Sequence, residues 1–439
     1  MTTYWAEHAL LPEGVAYNVR LTEFEGRWSA IEPGVQRGDG DVSLGGVVLP
    51  GFANCHSHAF HRALRGRTHG DGGTFWTWRE RMYAVSRRLT PENYRTLARA
   101  VFAEMVMAGM TSVGEFHYVH HRPGGAAYDD PNAMGEALRE AAREAGIRLT
   151  LLDTCYLHGG LTADGHAPLG DDQQRFSDGS AAAWAARHAL LADDETTRIG
   201  AAVHSVRAVA RDEIGEVLAA SDGQPVHAHL SEQPAENEAC EAFYGRSPVA
   251  LLDDAGALTS RFSAVHATHL SDDDIALLAA ANAVACFCPT TERDLADGIG
   301  PARALADAGV RVSLGSDQHA VVDTFEDARA LEMHERLVTN DRGRFSPEEL
   351  LDAATRHDTI GWPDAGRLEV GMRADVVAVR LDSRRTAGCL PEQVLLAATA
   401  EDITDVVADG AHVVTAGRHR LGDVGALLTE AITTLWEDA

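Results

Sequence analysis

His56-Ser57-His58 stands just beyond the apolar run Gly46-Val47-Val48-Leu49-Pro50-Gly51-Phe52. Side chains two apart on a strand point the same way, so both imidazoles can reach one point in space, as a metal ion requires. A lone His-x-His pair is more often structural than metal-binding. Here further ligands follow: His229 in Pro225-Val226-His227-Ala228-His229-Leu230, and Asp317 in Val312-Ser313-Leu314-Gly315-Ser316-Asp317. Three neutral nitrogens and one carboxylate suit a hydrolytic zinc that keeps a position open for water.

Ligands so far apart in sequence need a scaffold that returns to one place. Eight short apolar or β-rich runs recur, near 47–55, 111–117, 147–156, 199–206, 225–230, 262–267, 283–288 and 310–316. Helical patterns separate most of them, including 91–108, 131–145, 180–191, 212–220, 271–281 and 301–308. Strand alternating with helix predicts a parallel α/β architecture, and eight units predict a (β/α)8 barrel of the TIM type. The runs end in polar residues: His56 and His58, Glu115 and His117, Tyr156 and His158, His204 and Arg207, His229 and Glu232, His266 and His269, Thr290 and Glu292, Asp317 and His319. Active sites of such barrels lie at the C-terminal strand ends, which fits an enzyme. The flanks differ, being Gly-punctuated with short β-rich runs such as 374–379 and 411–414. They predict a small β-rich domain built from 1–48 and 367–439, with 49–366 as the barrel.

A chain of 439 residues can bury a barrel core with a smaller companion. Its net charge of −28 repels nucleic-acid backbones and anionic membranes, so neither is expected as a partner. A small anionic substrate would need local arginines. Residues 1–11 lack a signal-peptide pattern, and no apolar run approaches the roughly 20 residues of a membrane span. Six cysteines, scattered without a disulfide framework or paired CxxC motif, fit a reduced cytoplasmic setting. The chain has no lysine, which excludes a Schiff-base lysine, a P-loop lysine and a carboxylated lysine bridging two metals. A single divalent ion is therefore favoured.

Several segments carry a resemblance. Leu49-Pro50-Gly51 leads into His56-Ser57-His58-Ala59-Phe60, then Phe75-Trp76-Thr77-Trp78-Arg79-Glu80 and Glu115-Phe116-His117-Tyr118-Val119-His120-His121. His204-Ser205-Val206-Arg207-Ala208, His229-Leu230-Ser231-Glu232-Gln233, Val265-His266-Ala267-Thr268-His269 and Gly315-Ser316-Asp317 complete the set. Over most of the barrel the chain resembles the amidohydrolase superfamily, and within it the formimidoylglutamate deiminase family of histidine degradation. The HxH, His, His and Asp set belongs to the whole superfamily. The narrower segments at 75–80 and 115–121 carry the substrate assignment.

The resemblance implies that His56, His58, His229 and Asp317 hold one zinc ion and that Glu232 shuttles a proton from water to departing ammonia. His266 would orient or deprotonate the water, and either it or Asp317 could take the first proton. The implied substrate is an anionic amidine, N-formimidoyl-L-glutamate, hydrolysed to N-formyl-L-glutamate and ammonia. Arg79 and Arg207 would clamp its carboxylates, with His61, Tyr118 and His204 as further contacts. Position 61 departs from the family, which has Gln there; imidazole cannot copy an amide's paired donor and acceptor. Relatives imply a homodimer and leave zinc, iron or manganese as the native metal.

Blander roles compete. Arginines near strand ends often make structural ion pairs. Tyr118 and His204 could be hydrogen-bonded core residues. His117, His120, His121, His269 and His319 are expected to be supporting rather than ligating, and Cys55, Cys286 and Cys288 to be core. Trp76 and Trp78 either line a pocket or wedge a loop. Two other functions fit less well: another amidohydrolase deamination, of a related formimino acid or of an amino-heterocycle such as guanine, the latter not needing the arginines, and a non-catalytic barrel scaffold, which would not need an intact ligand set.

Overall fold

Eight parallel strands form the barrel: β1 (Phe52–Ser57), β2 (Met110–His117), β3 (Arg148–Cys155), β4 (Thr197–Val203), β5 (Val226–Leu230), β6 (Phe262–His266), β7 (Val284–Phe287) and β8 (Arg311–Leu314). Each pairs with the next in chain order. The computed structural model describes residues 1–70 and 75–437. Every residue of β2, β3, β5, β6 and β7 is buried, as expected of strands covered on both faces.

The barrel closes between β1 and β8 through a parallel bridge of Ser57 with Asp317. Asp317 N–H donates to His56 O at 2.9 Å, and His58 N–H donates to Asp317 O at 3.0 Å. Glycine at 315 permits this approach, since a Cβ there would lie 2.7 Å from His56 Cβ and 2.9 Å from His56 O. The seam of the barrel is thus made by the expected metal ligands.

One expected strand is two. The run near 47–55 is divided at Pro50-Gly51: Val42–Leu49 joins a second sheet and Phe52–Ser57 begins the barrel. Proline has no N–H to continue a ladder. A Cβ at Gly51 would sit 2.3 Å from Thr111 Oγ1, so the chain can turn there only without a side chain.

The second sheet draws strands from both chain ends, in the spatial order Arg418–His419, Ala411–Thr415, Ile403–Ala408, Val376–Val379, Val42–Leu49, Thr2–Leu11, Gly14–Phe24, Arg27–Glu32. It has a small core of its own, including Tyr4, Trp28, Leu44 and Val376. The C-terminal flank is not wholly β: Val424–Glu437 is a helix. Its buried residues Val424, Leu428, Ala431 and Leu435 recur at helical spacing. The helix packs on Pro91–Met107, and Trp436 Nε1 donates to Ala63 O at 3.0 Å. Under the barrel, β3 meets the second sheet through Arg148, which pairs with Asp375 and, at 2.8 Å, with Asp409. Among the described residues no helix is long and apolar enough to cross a membrane.

Candidate metal centre and active site

The strand ends bring His56, His58, His229 and Asp317 to one point. His229 Nε2 lies 3.2 Å from His56 Nε2 and 3.3 Å from His58 Nε2. Asp317 Oδ1 lies 3.4 Å from each of the His56 and His58 Nε2 atoms. Edges of that length put the centre of a tetrahedron about 2.0 Å from its corners, the length of a zinc–nitrogen bond.

The protonation pattern fits an ion as well. His58 Nδ1 faces Phe116 O at 2.9 Å and His229 Nδ1 faces His204 O at 2.9 Å, so each Nδ1 carries the proton and donates it. Their Nε2 atoms are then bare lone pairs pointed at one another, an arrangement that repels unless a cation lies between them. Burial, reinforced by the neighbouring His56, lowers the His58 ring to about 3. Burial and adjacent imidazoles push His56 and His229 well below the usual histidine range. All three rings are neutral ligands near pH 7.

Backbone strain gathers at the same place. Ser231, His266, Ala267, Asp317 and His319 all have positive φ, between 43° and 70°. Non-glycine residues take this left-handed conformation at a cost, and such strain marks functional sites. Each follows or ends β5, β6 or β8, turning the chain sharply so that side chains point over the barrel mouth. The His266 ring stacks on His229 at 12° between planes. Its Nε2 lies 3.8 Å from Glu232 Oε1 and 3.9 Å from Asp317 Oδ2, while Nδ1 lies 3.6 Å from Glu292 Oε1. Burial disfavours a charged His266, yet Glu232, Glu292 and Asp317 together outweigh it and raise the ring to about 10.

A cavity of about 150 Å³ opens beside the cluster and is lined by His58, His229, Glu232, His266 and Asp317. Its other walls include His61, Arg79, Tyr118, His204 and Arg207, so every site residue expected from sequence, apart from fully buried His56 behind the ligands, faces one space. His61 Nε2 and Tyr118 Oη share a hydrogen bond of 2.9 Å. Burial keeps the Tyr118 phenol protonated, well above the usual tyrosine range. Arg79 Nε donates to Tyr83 Oη at 2.8 Å, and its guanidinium lies over that ring. Trp78 both lines the cavity and ties its helix down, its Nε1 donating to Gln318 Oε1 at 2.6 Å. The side chain of Trp76 lies outside the described residues.

Arg207 is not a lone clamp. Its Nη2 donates to Glu232 Oε2 at 3.1 Å, and its Nε lies 3.4 Å from Glu236 Oε2. Glu236 and Tyr83 carried no sequence signal as site residues; Tyr156 and Glu292 were visible only as polar residues near strand ends. Tyr83 stands four residues beyond Arg79 on one helix, a spacing that could have suggested it, whereas Glu232 precedes the helix that carries Glu236 and no such spacing applies. The supporting histidines are as expected: His120 Nε2 bonds Thr154 O at 2.8 Å, His121 pairs with Asp178 at 2.9 Å, His269 Nε2 bonds Asp297 O at 2.7 Å, and His319 Nε2 bonds Ser57 Oγ at 3.1 Å. Cys55, Cys286 and Cys288 are buried in an apolar cluster.

Comparison with known proteins adds to this geometry. Residues 47–415 match the amidohydrolase family, and residues 1–43 match the N-terminal domain of the formimidoylglutamate deiminase HutF. A formimidoylglutamate deiminase from Pseudomonas aeruginosa is 39% identical, with 95% of this chain and 96% of that protein covered. A 5-methylthioadenosine/S-adenosylhomocysteine deaminase from Natronomonas pharaonis is 30% identical, covering 89% of this chain and 88% of the relative. Among solved structures, an amidohydrolase from Brucella melitensis superposes with a TM-score of 0.90 at 34% identity, covering 99% of this chain and all of the other. The chain therefore belongs to the amidohydrolase family and, within it, to the formimidoylglutamate deiminases.

Proposed function

We propose that the protein is a zinc hydrolase that converts N-formimidoyl-L-glutamate and water to N-formyl-L-glutamate and ammonia, one step in histidine degradation. One observation carries this reading: His56, His58, His229 and Asp317, their ligand atoms 3.2–3.4 Å apart, stand at a cavity lined by Glu232 and by two arginines, Arg79 and Arg207. His56, His58, His229 and Asp317 would hold a single Zn²⁺, which when bound supplies a water acidified to a pKa of about 7 as the nucleophile.

The chain's own groups do the rest. Arg79 and Arg207 bind the two carboxylates, with Tyr118, His204 and His61 donating further hydrogen bonds and fixing the amidine over the cradle. His266, held by Glu292 and Glu232, orients the water and faces the developing charge. A C–O bond forms at the formamidine carbon. Glu232 takes the first proton released by water and gives it to the terminal nitrogen, and Asp317 takes the remaining hydroxyl proton as the carbonyl forms, the C–N bond breaks and ammonia leaves. A neutral amino-heterocycle would make no use of two guanidiniums lining the cavity, so that deaminase reading is less favoured.

The test is incubation of zinc-loaded protein with N-formimidoyl-L-glutamate, with products followed by NMR and an ammonia assay. N-Formylglutamate with stoichiometric ammonia is expected. Glutamate with formamide would mean that the other C–N bond is cut, and no turnover with zinc bound would overturn the substrate assignment.

A further inference from the structure

Glu236 is a buried acid that the reaction as described does not use. It comes from the first turn of the helix Pro234–Tyr244, and its side chain has no solvent exposure. Its Oε1 accepts from Ser231 N–H at 3.3 Å, while Oε2 faces Arg207 Nε at 3.4 Å. Neither Glu236 Oε2 nor Arg207 Nε completes a hydrogen bond of normal geometry among the described residues. Burial raises the Glu236 carboxyl, and Arg207 opposes that rise. A carboxylate so placed is costly to bury, and among the described residues Arg207 is the cation paired with it.

The same guanidinium also holds Glu232, through Nη2 and Oε2 at 3.1 Å. One positive charge thus faces two carboxylates in a wall of the cavity. A substrate carboxylate arriving at Arg207 would place a third anion beside one guanidinium, and their mutual repulsion favours release of the acid that is free to move. Glu236 has nowhere to go, being enclosed and tied to the backbone of Ser231. Glu232 lines the cavity and its side chain is 11% exposed. The acid that can leave is therefore the one the reaction needs.

We propose that Glu236 is a positioning residue that anchors the Nε edge of Arg207. The Nη2 edge then exchanges Glu232 for a substrate carboxylate, freeing Glu232 Oε2 for proton transfer only when an anionic substrate is bound. This inference rests on the deimination reading above. It makes carboxylate recognition part of catalysis as well as of affinity: an amidine lacking carboxylates leaves Glu232 tied to Arg207.

The experiment divides the substrate into two pieces, formamidine and glutarate. Wild-type, zinc-loaded protein is expected to hydrolyse formamidine slowly, and added glutarate to raise kcat/KM by about tenfold or more, the worth of one charge-assisted hydrogen bond. Glu236→Gln loses most of that activation at unchanged zinc content and melting temperature, and Glu236→Asp recovers part of it. Glutarate that only inhibits, or has no effect while N-formimidoyl-L-glutamate is turned over, overturns the exchange. Equal activation in Glu236→Gln overturns the part given to Glu236. Failure of the wild type on N-formimidoyl-L-glutamate itself would count against the function, a separate result from either.

Discussion

At His58 and His229 one ring nitrogen is committed to a backbone carbonyl, which leaves the other as a lone pair aimed at the centre of the cluster. Removing either ring removes a corner of the tetrahedron. His229→Ala is therefore expected to be isolated with little bound zinc and no deiminase activity, as metal analysis and the ammonia assay would show. In the proposed reaction Glu232 would move protons without being one of the four corners, so Glu232→Gln should keep its zinc and lose about 10²–10⁴-fold in kcat. A Glu232→Gln protein that retained full turnover would remove Glu232 from proton transfer. The ligands and Glu232 were legible in the sequence because each sits in a short motif at a strand end. Glu236 and Tyr83 were not, since their roles rest on contacts with arginines whose direction only the folded barrel fixes. His61 was legible as a departure, and its bond to Tyr118 explains how a shorter, less versatile side chain is held against the cavity.

Elements place these residues by strain and close approach. The left-handed turns after β5 and β8 and at the end of β6 let Glu232, His266 and Asp317 converge from three strands. At the seam, Gly315 allows β8 to lie against β1. Gly315→Ala puts a methyl 2.7 Å from His56 Cβ, so it should cost about 1–3 kcal/mol and weaken zinc retention together, read by thermal melting and metal analysis. Loss of stability without loss of zinc would separate the seam from the cradle. The barrel strands were readable because strands buried on both faces are near-continuous apolar runs. The division at Pro50-Gly51 was harder to see, because apolar residues continue across it while the ladder does not. The terminal helix was missed for a different reason: short β-rich runs upstream coloured the whole flank, although Val424, Leu428, Ala431 and Leu435 keep a helical period.

Across the whole molecule, the barrel floor and the second sheet are joined by the buried ion pair of Arg148 with Asp375, side chains 1% and 2% exposed. Burial pushes the Asp375 carboxyl up, but Arg148 outweighs it and the carboxyl is lowered overall. A carboxyl depressed in the folded state stabilises the protein above its unfolded value of about 3.9 and stops doing so as pH falls through the folded value. Melting temperature should accordingly fall with acid below about pH 4. Asp375→Asn, which leaves Arg148 with the partly exposed Asp409 as its remaining carboxylate, should cost about 1–3 kcal/mol and flatten that acid limb, as thermal melts across pH would show. An unchanged acid limb in the variant would assign it to other carboxylates.

The barrel seam also bears on how the protein is made. Ser57 and Asp317 close the barrel although 259 residues of chain lie between them, so the proposed metal cradle lacks its carboxylate until residue 317 has been synthesised. A nascent chain holding only His56 and His58 is an incomplete and weak chelator, and tight capture waits for the last barrel strand. An ion bound there would act as a clasp on the final contact to form, since binding to the folded state alone stabilises that state. Stripping the metal should accordingly speed amide hydrogen exchange at His58 and Asp317 before it does so across the β3–β4 ladder. Uniform exchange across both would mean that the seam holds by itself. With the clasp in place, cellular zinc supply would govern the yield of closed barrels as well as the activity of each one.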